Sequence, residues 1–248
     1  MLLIKPSYRI LTPATQIDKV LEHLEAAGRT CYKSEAKITG NSAQKFIKKI
    51  IQSGHHSVLE HESLTVRFIV NRGFTHELVR HRLCAYSQES TRYCDYSKDS
   101  AGDHIQFIIP PCFYSLGLNR IEVRSHDGLD GLIASCGLRS DISCCVWMHA
   151  ILNCEIAYKR LRKEGLPPQT ARGVLPIDLK TEIVHTANMR EWRHIFSLRA
   201  TKAAHPQMSE QMDELLCDMK NRIPVLFDDL HPSNEGETLR RNIQALSQ

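Results

Sequence analysis

The segment from Arg80 to Arg92, RHRLCAYSQESTR, carries side chains that together suit an anionic ligand. It holds three arginines, one histidine and three Ser or Thr hydroxyls within thirteen residues. Guanidinium groups meet phosphate oxygens in a two-pronged geometry, which hydroxyls and backbone N–H groups complete. A solvated basic helix face is the simpler interpretation of such a run. The stretch from Leu83 to Tyr86 interrupts the charges and indicates burial, so the segment predicts a partly enclosed phosphate-binding pocket.

Histidines near this segment suggest a metal site, but their spacing argues against one. His76 and His81 bracket a near match to the H-E-x-x-H motif. They are five residues apart instead of four, so on a helix they would point roughly 140° away from each other. Arg80 and Arg82 would also repel a dication at this place. We therefore expect no metal.

The elements that position these residues follow from hydrophobic periodicity. Apolar residues at helical spacing predict five helices, over 17–28, 42–53, 141–164, 188–199 and 206–221. Alternation and short apolar runs predict three strands, over 64–70, 105–109 and 177–186. Gly28 is expected to end the first helix. Thr75 is expected to cap a further helix through Tyr86, with a loop over 87–93 after it.

Length and composition indicate a folded chain of one domain or at most two. The chain has 248 residues, of which 42% are hydrophobic and 24% charged. It contains no run near the roughly 20 apolar residues of a membrane helix, and its N-terminus is too short and too polar for a signal peptide, so we expect a cytoplasmic protein without a membrane partner. The net charge of +4 does not by itself require nucleic acid. Nine cysteines without a C-x-x-C argue against a disulfide framework or a zinc knuckle.

Five blocks of the sequence, from about residue 54 to 207, together match one known signature. They are GHHSVLEH (54–61), RHR (80–82) followed by seven residues and Ser90, ARGVLP (171–176), TANMR (186–190) and LR (198–199). Several blocks in a fixed order are more specific than one short motif. In these blocks the chain resembles the flavin-dependent thymidylate synthases.

The resemblance implies a reaction, and the cofactor performs its difficult chemistry. Methylenetetrahydrofolate would supply the carbon, reduced FAD would mediate the transfer, NADPH would re-reduce the flavin, and dUMP would become dTMP. The protein would need no nucleophile of its own. It would have to bind phosphate, flavin and folate together and stabilise charge on the uracil ring.

The resemblance also implies a fold and an assembly. The fold would be α+β, a twisted and mainly antiparallel sheet flanked by helices, within one domain over residues 1–230. Residues 231–248 would form a polar C-terminal tail. The chain would assemble as a homotetramer whose active sites are shared between subunits, with the flavin at the interface. No G-x-G-x-x-G follows a predicted strand, so a Rossmann unit is not indicated.

Individual ligand contacts follow from the family's motif positions. The implied dUMP contacts are Glu77, Leu78, Val79, Arg80, Gln88, Glu89, Ser90, Thr91, Arg92, Arg172 and Arg199, with those over 88–92 coming from a neighbouring subunit. The implied FAD contacts are His55, Ser57, Arg80, His81, Arg82, Gln88, Asn188, Met189, Arg190 and His194. Arg199 is the implied catalytic residue, because a fixed cation beside N3 of uracil lowers the pKa of that nitrogen.

Three positions depart from the pattern of many members. Glu77 stands where many have Gln, Gln88 stands where many have Glu, and His194 replaces an amide found in some. A carboxylate cannot donate a hydrogen bond as an amide does. Of the implied contacts, the one between Glu77 and dUMP is therefore affected most by these departures.

Cys112 suggests a different chemistry, which the rest of the sequence does not support. It follows Pro110 and Pro111, and the unrelated cysteine-dependent thymidylate synthases carry their nucleophile in a Pro-Cys context. A reactive thiolate needs an electropositive, partly exposed setting. Cys112 instead follows a strand-like run and precedes Phe113 and Tyr114, so we expect a structural role.

The competing functional class is a protein that binds a phosphate-rich ligand or single-stranded nucleic acid. Arg80, Arg82 and Arg92 would contact phosphates, and Tyr86 or Tyr93 would stack on bases. A yellow protein with flavin absorbance would support the enzyme. A colourless protein that binds oligonucleotides with a steep salt dependence would support the alternative.

Overall fold

Ten α-helices and seven β-strands form most of the regular structure of residues 1–98, 104–135, 137 and 141–233, which are the residues that the computed structural model describes. The strands are β1 (Leu2–Ile4), β2 (Ser7–Ile10), β3 (Ser63–Asn71), β4 (Cys84–Gln88), β5 (Gln106–Ile108), β6 (Ile121–Glu122) and β7 (Lys180–Asn188). The helices are α1 (Ala14–Ile17), α2 (Val20–Cys31), α3 (Ser42–Gln52), α4 (Arg72–Leu78), α5 (His126–Ser135), α6 (Ile142–Lys163), α7 (Pro168–Ala171), α8 (Met189–Arg199), α9 (Pro206–Arg222) and α10 (Pro224–Phe227).

The contacts of the chain divide it into two compact units, and neither is one continuous segment. The first unit comprises residues 1–7, 69–76 and 88–183, and the second comprises 8–68, 77–87 and 184–248. The expectation of one domain over residues 1–230 with a tail over 231–248 stays a prediction. Residues 234–248 of that tail lie outside the described residues.

The strands form two sheets, where the family resemblance implied one. The order of the three-stranded sheet is β5-β1-β6, and that of the four-stranded sheet is β2-β3-β7-β4. In the smaller sheet β1 pairs parallel with β5 and antiparallel with β6, so Leu3 lies opposite both Phe107 and Ile121. Sheets with surrounding helices confirm the predicted α+β class.

Helix α6 organises the core of the first unit. The Asp141 side chain accepts a hydrogen bond from the Cys144 backbone N–H at 2.9 Å and so caps the helix start. Gly165, with φ of 91°, follows the helix end in a conformation that suits glycine. The apolar face of α6 joins a core that includes Leu3, Phe107, Leu129, Met148, Leu152 and Tyr158. The helix predicted over 141–164 is confirmed.

In the second unit α2 and α3 approach closely at a glycine. A Cβ atom on Gly28 would lie 2.6 Å from Cε1 of Phe46, so only glycine fits there without displacing the ring. Gly28 therefore lies inside α2, which runs on to Cys31, and the expectation that it ends the helix is wrong. The close packing against Phe46 explains why a glycine stands inside the helix, because the helix tolerates glycine where a neighbouring side chain needs the space.

Helix α8 packs through Trp192 against strand β3. The Asn188 side chain accepts from the Glu191 backbone N–H at 2.8 Å and caps the helix. Trp192 is fully buried, and its Nε1 donates to the Leu64 carbonyl at 3.0 Å. Residue Asn188 ends strand β7 and also begins α8, so the sheet and the cap together fix where the helix points.

The helix predicted from Thr75 through Tyr86 is wrong. Helix α4 begins three residues earlier, where the Asn71 side chain accepts from the Phe74 N–H at 2.8 Å, and it ends at Leu78. Residues Cys84–Gln88 form strand β4 beside β7. Alternating exposure along β4 matches a strand, and pairing with β7 outweighs the local helical preference.

The remaining predicted helices and strands are confirmed within a few residues of their bounds. Among the described residues, no helix combines the length and the apolar composition needed to cross a membrane.

Candidate active site

Arg199 lies at the end of α8 and binds two side chains from the segment around α4. Its Nη1 donates to Oε2 of Glu77 at 2.9 Å, and its Nε donates to Nε2 of His81 at 3.1 Å. The Arg199 and Glu77 side chains are 20% and 29% exposed, so a ligand can reach both. Three residues predicted for the site, far apart in sequence, thus meet within the second unit.

His81 is buried and neutral. Burial, with smaller effects of the Arg199 and His194 charges, lowers the pKa of His81 to about 4. A neutral imidazole can accept at Nε2 from Arg199 while Nδ1, 3.5 Å from Oε1 of Glu191, carries the proton. Burial also raises the pKa of Glu191. His81 therefore acts as an uncharged acceptor that orients the Arg199 guanidinium.

Tyr86 holds the backbone around His81 in place. Its hydroxyl lies 2.7 Å from the Leu78 carbonyl and 2.6 Å from the His81 carbonyl, so these two oxygens share its single O–H proton. The Tyr86 ring stacks on His185 with centroids 5.0 Å apart, and His185 lies 4.7 Å from the Trp192 ring. The short loop between α4 and β4 is thereby attached to the aromatic core of the second unit.

His81, Glu191 and His194 also form a group that could ligate a metal ion. Their ligand atoms lie within 4.8 Å of one another. The sequence did not indicate this set, because two of its members lie more than a hundred residues from the first. The Arg199 guanidinium occupies Nε2 of His81 and places a positive charge beside the group, which opposes a dication. The expectation of no metal stays a prediction.

A second feature of this unit is a cavity of about 480 Å³ at the start of α8. Asn188, Arg190 and His194, all predicted flavin contacts, line it together with His56 and Leu83. Sequence reasoning did not select His56 or Leu83. Leu83 is 75% exposed, so the burial expected of the stretch from Leu83 to Tyr86 is wrong for this residue, and its apolar side chain is open to contact with a ligand ring.

Several other predicted ligand residues have surroundings that limit what they can contact. Leu78 and Met189 have fully buried side chains, and the Met189 N–H donates to the Glu62 carbonyl at 2.9 Å. Other predicted ligand residues are exposed to solvent: His55, Ser57, Val79, Arg80 and Arg82. Neither Arg80 nor Arg82 pairs with a carboxylate in the described part of the chain, so both charges are available to a ligand.

The first unit contains a smaller cavity, of about 210 Å³, with a positive lining. Thr91 and Arg172, both predicted dUMP contacts, line it with Arg72 and His76, and no carboxylate does. Arg172 Nη1 donates to Oγ1 of Thr91 at 2.8 Å, and Arg72 Nη1 donates to the Glu89 carbonyl at 3.2 Å. Sequence reasoning missed Arg72 and considered His76 only as a metal ligand. The sequence feature that could have indicated Arg72 is its position directly after the apolar strand β3.

The other residues predicted over 88–92 are held by bonds within the first unit. Gln88 Nε2 donates to Oγ1 of Thr75 at 2.9 Å, and the Glu89 carboxylate accepts from Tyr96 at 2.7 Å and Lys180 at 3.0 Å. The Ser90 hydroxyl oxygen accepts from the Arg92 N–H at 3.2 Å. The Glu89 side chain is thus fully engaged in support of the segment.

Arg92 is exposed and can exchange its partner. Its Nε donates to Oε1 of Gln169 at 3.1 Å, a neutral acceptor that a phosphate oxygen can replace with a stronger bond.

Most of the described cysteines are not buried. Of the eight cysteines in the described part, only Cys144 is buried, while Cys31 and Cys112 are exposed. Cys112 lies in the 3-10 helix Pro111–Leu116, which begins at the second of two prolines that follow β5. Its expected structural role stays a prediction.

Comparison with known protein families gives one consistent match. A family model described as thymidylate synthase complementing protein matches residues 15–225. The flavin-dependent thymidylate synthase of Geobacter sulfurreducens is 32% identical over 213 residues, which are 83% of this chain and 80% of the relative. The Mycobacterium tuberculosis enzyme of the same name is 33% identical over 210 residues, 83% of this chain and 78% of the relative.

Solved structures share the fold at lower sequence identity. Thymidylate synthase X from Helicobacter pylori, crystallised with FAD and dUMP, superposes with a TM-score of 0.63 at 19% identity, over 90% of this chain and 98% of the other. The UMP/dUMP methylase PolB from Streptomyces cacaoi, bound with 5-Br dUMP, gives 0.61 at 21%, over 91% and 95%.

Proposed function

We propose that this chain, which belongs to the flavin-dependent thymidylate synthase family, converts dUMP to dTMP by reductive methylation. Methylenetetrahydrofolate is the carbon donor, FAD the cofactor and NADPH the reductant. The hydrogen on C5 of uracil is replaced by a methyl group. The folate and NADPH parts of this proposal are supported by the family resemblance alone.

The observation that carries the proposal is the carboxylate-free cavity lined by Arg72, His76, Thr91 and Arg172. A phosphate monoester needs charge-assisted donors and no competing anion. The bond from Arg172 to Thr91 sets the guanidinium beside the hydroxyl before any ligand arrives. A cavity of about 210 Å³ suits a phosphate and part of a sugar, so we assign it to the 5′-phosphate of dUMP.

Activation of the uracil ring is assigned to Arg199. A guanidinium beside N3 favours loss of the N3 proton and stabilises negative charge on the ring. Two acceptors, Glu77 and neutral His81, hold the Arg199 guanidinium in one orientation. Because its side chain is only 20% exposed, water screens its charge less than at an open surface.

The residues at the start of α8 fit a flavin with its diphosphate. The 480 Å³ cavity offers the Asn188 amide, the Arg190 guanidinium and the His194 imidazole as donors to an anionic cofactor with a polar ring. The Glu191 carboxylate also lines it, and Arg190 pairs with the exposed Glu60, a partner that a cofactor phosphate would replace. Exposed Ser57 and the Arg80 and Arg82 guanidinium groups would add contacts. The flavin, when bound, supplies the redox chemistry that protein side chains lack.

The assembly is proposed to be a homotetramer in the cytoplasm. The phosphate cavity belongs to the first unit and the Arg199 group to the second. Since the sites of such a tetramer are shared between chains, these two groups need not serve the same active site. Mixing two inactive variants tests this: Arg172→Ala and Arg199→Ala together should recover activity that neither has alone.

The decisive experiment reconstitutes the purified chain with FAD and follows tritium release from dUMP labelled at C5. Release should require FAD, methylenetetrahydrofolate and NADPH together, and omission of any one should abolish it. A colourless protein that takes up no FAD and binds oligonucleotides with steep salt dependence would refute the enzyme and support the nucleic-acid alternative.

A further inference from the structure

A basic cavity of about 530 Å³ lies beside α2 and α3 in the second unit, and of the residues implied above for a ligand only His55 lines it. Arg29, Lys37, Lys45 and Lys49 line it, and none of its lining residues carries a carboxylate. Lys45 and Lys49 are four residues apart on α3, so their side chains lie one turn from each other on one face.

Three of these four cations lack a compensating charge. Arg29 pairs with the buried carboxylate of Glu25 at 2.7 Å and covers the Phe46 ring at 4.4 Å, so its charge is already engaged. Lys37, Lys45 and Lys49 make no ion pair within the described part of the chain. The cavity therefore has an excess of about three positive charges toward a ligand.

The basic cavity is linked to the residues implied for the flavin through His55. This residue, itself an implied FAD contact, lines the basic cavity, and the next residue, His56, lines the 480 Å³ cavity. Tyr32 and His55 form one edge of the basic cavity, with the Tyr32 hydroxyl 2.8 Å from Nδ1 of His55 and the rings stacked 6.5 Å apart. A ligand that reacts at a flavin held beside His55 and carries a long anionic extension would place that extension in the basic cavity.

We propose that this basic cavity binds the γ-linked oligoglutamate tail of the folate co-substrate, an inference that rests on the proposed function. Each γ-glutamyl unit adds a carboxylate, and separated lysine ammonium groups suit carboxylates spaced along a flexible chain. The phosphates of NADPH would favour a free guanidinium fork, and the only guanidinium here is bound to Glu25. The lysines are exposed, so the attraction falls as salt rises.

The test compares methylenetetrahydrofolate carrying one glutamate with the same compound carrying five, using the full chain reconstituted with FAD. The KM for the folate in dTMP formation should be about tenfold lower with five glutamates, as expected for several weak charge pairs acting together. In the double variant Lys45→Gln, Lys49→Gln the ratio of the monoglutamate KM to the pentaglutamate KM should fall to about twofold. Lys48→Gln should keep the parental ratio, because Lys48 lies on the same helix but lines only a second cavity, which it shares with Lys45.

Direct titration with mono- and pentaglutamyl tetrahydrofolate separates this inference from the proposed reaction, because it needs no turnover. Loss of the affinity ratio in the double variant supports the tail site even if turnover fails. Equal affinity for the two compounds in the parent would refute it, as would an unchanged ratio in the double variant. A higher KM for NADPH in the double variant, with an unchanged ratio between the two folate compounds, would assign the cavity to NADPH. That result would also refute the proposal.

Discussion

Glu77 and Arg199 form an ion pair in which Oε2 lies 2.9 Å from Nη1, at the place where the proposed reaction needs a cation. The carboxylate orients the guanidinium, and it also offsets part of the positive charge that would act on the uracil ring. An amide at residue 77, as many family members have, would keep an acceptor for Arg199 without the negative charge.

Glu77→Gln should strengthen dUMP binding. The variant keeps an acceptor for Arg199 but removes an anion that repels the nucleotide, so the dUMP dissociation constant should fall by up to about fivefold. Titration of dUMP against the FAD-loaded protein measures this. Asp218→Asn, which removes a carboxylate from the exposed pair with Arg222, should leave the constant unchanged. Weaker binding in Glu77→Gln would show that the carboxylate itself supports the nucleotide.

Arg199→Ala should lower the rate of dTMP formation even at saturating dUMP, while NADPH still reduces the flavin. The lost guanidinium acts on charge that develops during the reaction, so the chemical step suffers most. Single-turnover formation of dTMP and the loss of flavin absorbance report the two steps separately. Parental dTMP formation at saturation would contradict the assigned role of Arg199.

Arg92→Ala is the matched comparison, because it removes an exposed guanidinium assigned to the phosphate. The dUMP dissociation constant should rise on the order of tenfold for the loss of a charge-assisted bond, with dTMP formation at saturation retained. An unchanged dissociation constant would mean that Arg92 stays with Gln169.

Arg72→Gln should weaken binding of the phosphate specifically. Arg72 lines the proposed phosphate cavity, so the variant should bind dUMP about tenfold more weakly and bind deoxyuridine, which lacks the phosphate, as the parent does. Arg160→Gln, an exposed change in the same unit, should alter neither constant. Equal losses for both ligands would indicate a general structural effect.

His185→Phe should reduce the sensitivity of the fold to acid. Burial, with a smaller effect of His81, lowers the pKa of His185 to about 3 from 6.5, and its ring nitrogens have no hydrogen-bond partner among the described residues. The unfolded chain therefore binds a proton below pH 6.5 while the folded chain does not, so this histidine destabilises the fold as the pH falls from about 6.5 to 3.

Urea unfolding at pH 7 and pH 5 measures that effect. Between these values the parent should lose about 2 kcal/mol more unfolding free energy than His185→Phe. His61→Phe, at an exposed histidine, should behave as the parent does. Equal acid losses in all three proteins would show that His185 is not buried in neutral form.

Cys112→Ala should retain tritium release close to the parental rate, because the proposed reaction needs no protein thiolate. Cys31→Ala, at another exposed cysteine, is the control. Abolished turnover in a folded Cys112→Ala protein would establish a cysteine nucleophile.

Local patterns in the sequence determined much of the fold. The apolar period of α3 and α6 and the alternation of β3 were visible in the order of residues, and the helices predicted from residues 141 and 188 start at the two residues that cap them. They were visible because helix spacing, strand alternation and capping depend on neighbours a few residues apart. The matched motifs likewise placed Arg199, Arg172 and Thr91 in the candidate site before any contact was known.

Only the tertiary structure decided which of these side chains meet. The helix expected through Tyr86 became strand β4 because it pairs with β7, about a hundred residues away. The bond of Arg199 to Glu77, the neutral state of His81 and the place of Arg72 in a phosphate-sized cavity depend on similarly distant partners. Local sequence records residue types and spacing, whereas distances, burial and the resulting pKa values arise when remote segments pack together.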